Sequence, residues 1–154
     1  MTAPTLPVTV DPEEAVLGVL LLADLEQAGA ILERLRDDDV QDPDRRLVLE
    51  EIRAAHADGV AGDPGRIMHG LTRRHGKSAG HRLGLLVAGA YSTAPTPGMG
   101  GSFVAELVDR AVRREAERLA TRLQQASEGP LDTLLGAWAD VADAYTDTLR
   151  RVTR

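Results

Sequence analysis

Three times in the first half of this chain an aspartate stands directly before a proline, at Asp11-Pro12, Asp42-Pro43 and Asp63-Pro64, and each time an apolar pattern follows. The pairing is a helix start. The carboxylate accepts from free amides of the first turn, and proline at the first helical position gives up an N–H that would have had no partner there. Glu13, Glu14 and Asp44 add negative charge where the helix dipole favours it. A chain punctuated in this way leaves little room for strands, so the expected fold class is all-α.

The segments between these starts have helical period. After Pro12, the run Ala15 to Leu22 is apolar on nearly every side, which makes this helix the buried centre of the domain. A second helix, from about Glu26 to Arg36, carries Ala28, Ile31, Leu32 and Leu35 on one stripe. The acidic run Asp37, Asp38 and Asp39 then opens a turn and reads as a solvated helix end. The helix after Pro43 turns Leu47, Val48, Ile52 and Ala55 inward and ends near Gly59. Pro64 starts a short helix with Ile67, Met68 and Leu71 inward and Gly76 as its stop, and a fifth runs from about Ala79 to Tyr91. Residues 92–101 hold Pro95, Pro97, Gly98, Gly100 and Gly101, which marks the best internal boundary.

Beyond that loop the pattern lengthens. Ser102 can cap a helix of about 25 residues, roughly 38 Å long, with Val104, Leu107, Val108, Val112, Leu119 and Leu123 on one side. Gly129-Pro130 breaks it. In the last helix Leu131, Trp138, Tyr145 and Val152 recur every seven residues with Leu135, Ala142 and Leu149 beside them, a spacing that makes a seam for another helix. The expected architecture is a compact head of about five short helices over residues 1–101, then a long antiparallel two-helix hairpin over 102–154, the whole forming one cooperative domain. The hairpin is expected to pair with its copy through Leu131, Leu135, Trp138, Tyr145 and Leu149. If those positions are buried, Trp138→Ala costs about 3 to 5 kcal/mol in fold or dimer stability.

Composition and motifs exclude more than they suggest. The absence of cysteine removes disulfides, thiolate metal sites and cysteine nucleophiles. Aromatic residues are only 3%, too few for base-stacking platforms. The longest apolar run, Ala15 to Ala23, falls short of the roughly 18 residues of a membrane span and follows two glutamates instead of a basic stretch, so a cytoplasmic protein is expected. Gly76-Lys77-Ser78 resembles the end of a phosphate loop, but Gly70 lies one residue too far upstream and a helix, not a strand, precedes it. His69, His75 and His81 recur every six residues and so do not share a helix face as metal ligands would. No nucleophile elbow or paired acid and base is present, and neither cofactor nor catalytic activity is expected.

Charge is unevenly spread: residues 1–58 carry a net −9, residues 59–101 a net +4 and residues 102–154 a net −1. The basic middle segment supports a second reading, a nucleic-acid-binding regulator using Arg66, Arg73, Arg74, Lys77 and Arg82 as phosphate contacts. The surrounding acidity makes such binding weak or absent.

Several stretches resemble one family in order and spacing. PEEAVLGVLLLAD (Pro12 to Asp24), DPDRRLVLEEI (Asp42 to Ile52), the piece Asp58-Gly59 through Asp63 with Leu71, Arg73 and Arg74, and FVAELVDRAVRREAERLA (Phe103 to Ala120) are together similar to the N-terminal domain of DnaB-type replicative DNA helicases, over about residues 11 to 152. The chain departs from that family at Val40, where an aromatic is usual, and in the glycine-rich loop 92–101, where asparagines are usual. The resemblance implies a structural collar that dimerises through its hairpin, builds a ring-like assembly and offers a docking surface to primase or a loading factor. It also implies that the ATPase motor belongs to a separate C-terminal domain, none of which is in this sequence.

Overall fold

The computed structural model describes residues 10–153, and every regular element among them is helical. The order is α1 (Pro12–Leu22), α2 (Leu25–Arg34), a 3₁₀ turn (Asp37–Asp39), α3 (Pro43–Ala57), α4 (Pro64–Ser92), a second 3₁₀ turn (Pro97–Met99), α5 (Gly100–Ser127) and α6 (Leu131–Val152). The expected all-α class holds. The chain divides into two compact units, with the division inside α5 between Leu107 and Val108.

The three Asp-Pro starts work as caps. The Asp11 carboxylate accepts from the amide of Glu13 at 3.0 Å, Asp42 from that of Arg45 at 2.9 Å and Asp63 from that of Arg66 at 2.8 Å. A fourth cap carries no proline to advertise it: Asp24 and Gln27 satisfy each other's backbone amides at the start of α2.

In the first unit α1 is the central element and packs against both α3 and α4. Every residue from Ala15 to Leu21 is buried, with Val16, Leu17, Val19 and Leu20 at most 1% exposed, which places apolar burial on all sides of one helix. Each such side chain contributes about 1.5–3 kcal/mol. Gly18 lets the end of α4 come close, since a Cβ there would strike the Ala90 carbonyl and the Ala94 side chain. Val40 is fully buried, so the position at which the sequence departs from the family it resembles is a core position here.

Polar contacts hold the entrance of α1 against α3. The Glu13 carboxylate accepts from the Gln41 amide at 2.6 Å, and Arg45 reaches Asp11 at 2.5 Å and Glu13 at 3.3 Å. Partial burial works to raise the Asp11 pKa, but the hydrogen bond from Arg45, the cap bond from Glu13 and the guanidinium charge outweigh it and hold the carboxyl below its ordinary value.

Two local expectations are corrected. α2 ends at Arg34, not Arg36, and the acidic run after it is not a solvated helix end. Asp39 is fully buried and accepts from the Arg36 amide at 2.8 Å, closing the 3₁₀ turn. Asp37 pairs with Arg53 at 2.7 Å, and the same guanidinium donates to the carbonyls of Leu32, at 3.0 Å, and Leu35. One α3 arginine thus satisfies the open carbonyl end of α2 and draws the acidic turn inward.

Gly76 does interrupt α4 as expected, with φ 85° and ψ 170°. The two arms then fold back along each other. A Cβ on Gly80 would strike Thr72, and one on Gly84 would press on Met68 at 3.1 Å, so residues equally far from Gly76 face each other. Gly76, Gly80 and Gly84, four apart, provide the bend and the close approach.

Two outcomes follow. A Cβ at Gly76 meets nothing within 4 Å, so Gly76→Ala isolates the backbone cost and lowers stability in urea melts by about 1–3 kcal/mol. Asp11 is more acidic folded than unfolded, so its contribution is complete above its ordinary value of 3.8 and is lost as pH falls through the lower folded value. Asp11→Asn, which can still cap, is therefore less stable than the parent at about pH 7, and the gap shrinks in melts at about pH 3.

Candidate assembly interface

The second unit is a helical hairpin made by α5 beyond Leu107 and by α6. α5 stops at Ser127, the Gly129 amide bonds the Ala126 carbonyl at 3.1 Å, and Pro130 starts α6 with its carbonyl accepting from Thr133 and Leu134. The arms are antiparallel: Arg122 near the end of α5 pairs with Asp140 in the first half of α6 at 2.5 Å. Leu119, Ala126 and Ala137 are buried, and Ala137 is the only buried position of α6.

At about 100° per residue, Leu134, Ala137, Val141, Ala144 and Thr148 fall on one side of α6, and with Asp140 and Arg151 these are its buried or half-buried positions. Leu131, Leu135, Trp138, Ala142, Tyr145 and Leu149 form a second stripe, centred roughly 100° further round. α6 is therefore apolar on two faces while its own hairpin uses one. Leu131, Leu135, Trp138, Tyr145 and Leu149 are 46% to 68% exposed, and Val152 is 64% exposed. The five seam residues are thus brought together on one face, but their own hairpin does not bury them.

Beside this stripe lies an apolar groove of about 340 Å³ between the two arms, walled by Val112, Ala116, Leu119 and Leu123 of α5 and by Val141, Ala144 and Tyr145 of α6. Tyr145 belongs to both features. The sequence reading missed the groove. The signal for it is the set of alanines, Ala116, Ala120 and Ala144, whose short side chains leave the space open. Away from the groove α5 is charged. Asp109 pairs with Arg113 at 2.8 Å and Glu115 with Arg118 at 2.6 Å, and the guanidinium in each pair holds its carboxylate below the ordinary range.

The five basic residues of the middle segment do not form one strip. Arg74 is paired with Glu51 at 3.0 Å and Arg82 with Asp44 at 2.9 Å, both acids from α3. Arg66 and Arg73 line a hollow between α3 and α4, and Lys77 lies beyond the bend at Gly76. Lys77 and Ser78 continue as helix instead of curling into a loop, and His69, His75 and His81 are all exposed. Among the described residues no group of three or more histidines and carboxylates is placed to hold a metal ion, and no helix is long and apolar enough to cross a membrane.

Protein-family models give no match to this chain, and a comparison with curated proteins gives none either. Among solved structures it is similar to the N-terminal domain of DnaB helicase from Mycobacterium tuberculosis, at 27% identity and a TM-score of 0.75, over 86% of this chain and 94% of that one. Fold and sequence resemblance thus point to the same helicase N-terminal domain.

Because Trp138 is 57% exposed, the buried-site cost expected for Trp138→Ala does not fall on the fold. In urea melts at concentrations where the chain is monomeric, the substitution shifts unfolding by less than about 1 kcal/mol.

Proposed function

We propose that this chain is a non-catalytic assembly module of DNA replication that joins copies of itself through α6, in the manner of a helicase collar domain. One observation carries the reading: the second apolar stripe of α6, which its own hairpin leaves bare. The likeness to a DnaB helicase N-terminal domain supplies the replication context. The module works in the cytoplasm as a dimer or a larger ring-like assembly and presents its outer surfaces to a replicative helicase, to primase or to a loading factor.

A second copy fits the stripe better than an unrelated helix because the stripe complements itself. The seven-residue spacing of Leu131, Trp138 and Tyr145 suits knobs-into-holes packing along about 33 Å of helix. A two-fold antiparallel pairing centred between Trp138 and Tyr145 sets Asp132 beside the partner's Arg150, on the same flank of the seam. Opposite charges meet there, and each contact occurs twice.

In light scattering coupled to size-exclusion chromatography, the parent chain runs as a dimer or larger species at micromolar concentration and Trp138→Glu runs as a monomer. A monomeric parent ends the reading. Charge reversal tests the register: Asp132→Arg or Arg150→Asp alone weakens association about threefold or more, and the two together restore it. Purified replicative helicase or primase is retained by the immobilised parent chain and less by Trp138→Glu if partner docking shares this surface.

A further inference from the structure

We propose that the hollow between α3 and the first arm of α4 is a binding site for a tetrahedral anion, a phosphate group that arrives free or as a monoester. The site is distinct from the α6 seam and does not depend on it. The first arm of α4 places Arg66, His69 and Arg73 at relative positions 0, 3 and 7, on one face of the helix. All three line a hollow of about 250 Å³, together with Arg74, Glu51 and Asp58.

Gly70 seats the floor of the hollow. A Cβ there would overlap the carboxylate of Glu51, which is 8% exposed and forms the floor. Arg74 pairs with Glu51 at 3.0 Å and offsets its charge, so the floor is an ion pair and not a lone carboxylate. Above it the side chains of Arg66 and Arg73 make no ion pair or hydrogen bond with any described residue. In a chain of net charge −6, two unpaired guanidinium groups on one concave surface run against the general trend.

Size and direction select the ligand. The volume is below the roughly 300 Å³ at which small-molecule sites begin, so one compact group fits and a whole nucleotide does not. Donors stand on the rim at three points along the helix. A tetrahedral anion offers oxygens in three directions, whereas a planar carboxylate fills the fork of one guanidinium. Asp58 on the wall opposes the anion, which keeps binding weak and supplies a test that a merely sticky arginine patch would not pass. A continuous nucleic-acid track is disfavoured because Arg82 is held by Asp44 and Lys77 lies past the bend.

The experiment is a titration of inorganic phosphate into isotope-labelled full-length chain at low ionic strength, followed by amide chemical shifts. Saturable shifts are expected at Arg66 to Arg74 and around Asp58, with millimolar affinity. Arg66→Gln with Arg73→Gln lowers affinity by about tenfold or more at an unchanged melting temperature, and Asp58→Asn, which keeps a good helix-end residue, raises it. Glycerol phosphate, run in parallel, binds at the same residues, and the tighter of the two identifies whether the group arrives free or esterified. The proposal is overturned by absence of saturation or by acetate binding equally well. Shifts that survive the double substitution overturn it too, as does an unphosphorylated oligonucleotide that occupies these residues when phosphate does not.

Discussion

The head depends on the burial of α1. A helix with Val16, Leu17, Val19 and Leu20 all enclosed cannot be covered by one neighbour, so α3 and α4 must both lie against it. The start of α5 closes on it as well, since a Cβ at Gly100 would press on both Val19 and Ile31. Burial of this kind is non-directional and would tolerate sliding. The polar cluster at the entrance of α1 removes that freedom, because Glu13 and Arg45 can satisfy the backbone of Gln41 and the carboxylate of Asp11 in only one register.

The double-armed α4 shows how glycine shapes this head. At Gly76 it supplies a backbone angle closed to other residues, and at Gly80 and Gly84 it supplies the absence of a side chain where the arms cross. Gly70 plays the second role against α3, and the space it leaves lets Glu51 lie buried while paired with Arg74. The concave basic surface of the head follows from the packing that forms the core.

The hairpin unit obeys a different economy. Its internal contact is thin, with Leu119, Ala126 and Ala137 as the buried residues from Val108 onward, while α6 carries a full apolar stripe facing away from it. Small side chains on the shared face and large ones on the outer face reverse the usual order of a two-helix hairpin. The proposed association role accounts for that reversal, since aromatic and long aliphatic groups at the centre of a contact contribute most of its energy.

What was legible in the sequence was whatever depends on residues near one another along the chain. Caps at Asp11, Asp42 and Asp63, the all-apolar α1, the break at Gly76 and the last helix after Gly129-Pro130 are all local, and each is found where the pattern put it. Illegible were the contacts between distant residues. Nothing in the run Asp37 to Asp39 reveals that Arg53 will draw it inward, that Glu51 will meet Arg74, or that α6 will turn its small residues to α5 and leave Trp138 bare. By itself the sequence determined the helices and their ends, because hydrogen bonds and caps close within a few residues. Only the tertiary structure decided which charges are neutralised and which apolar face stays uncovered, because both depend on where packing brings residues tens of positions apart.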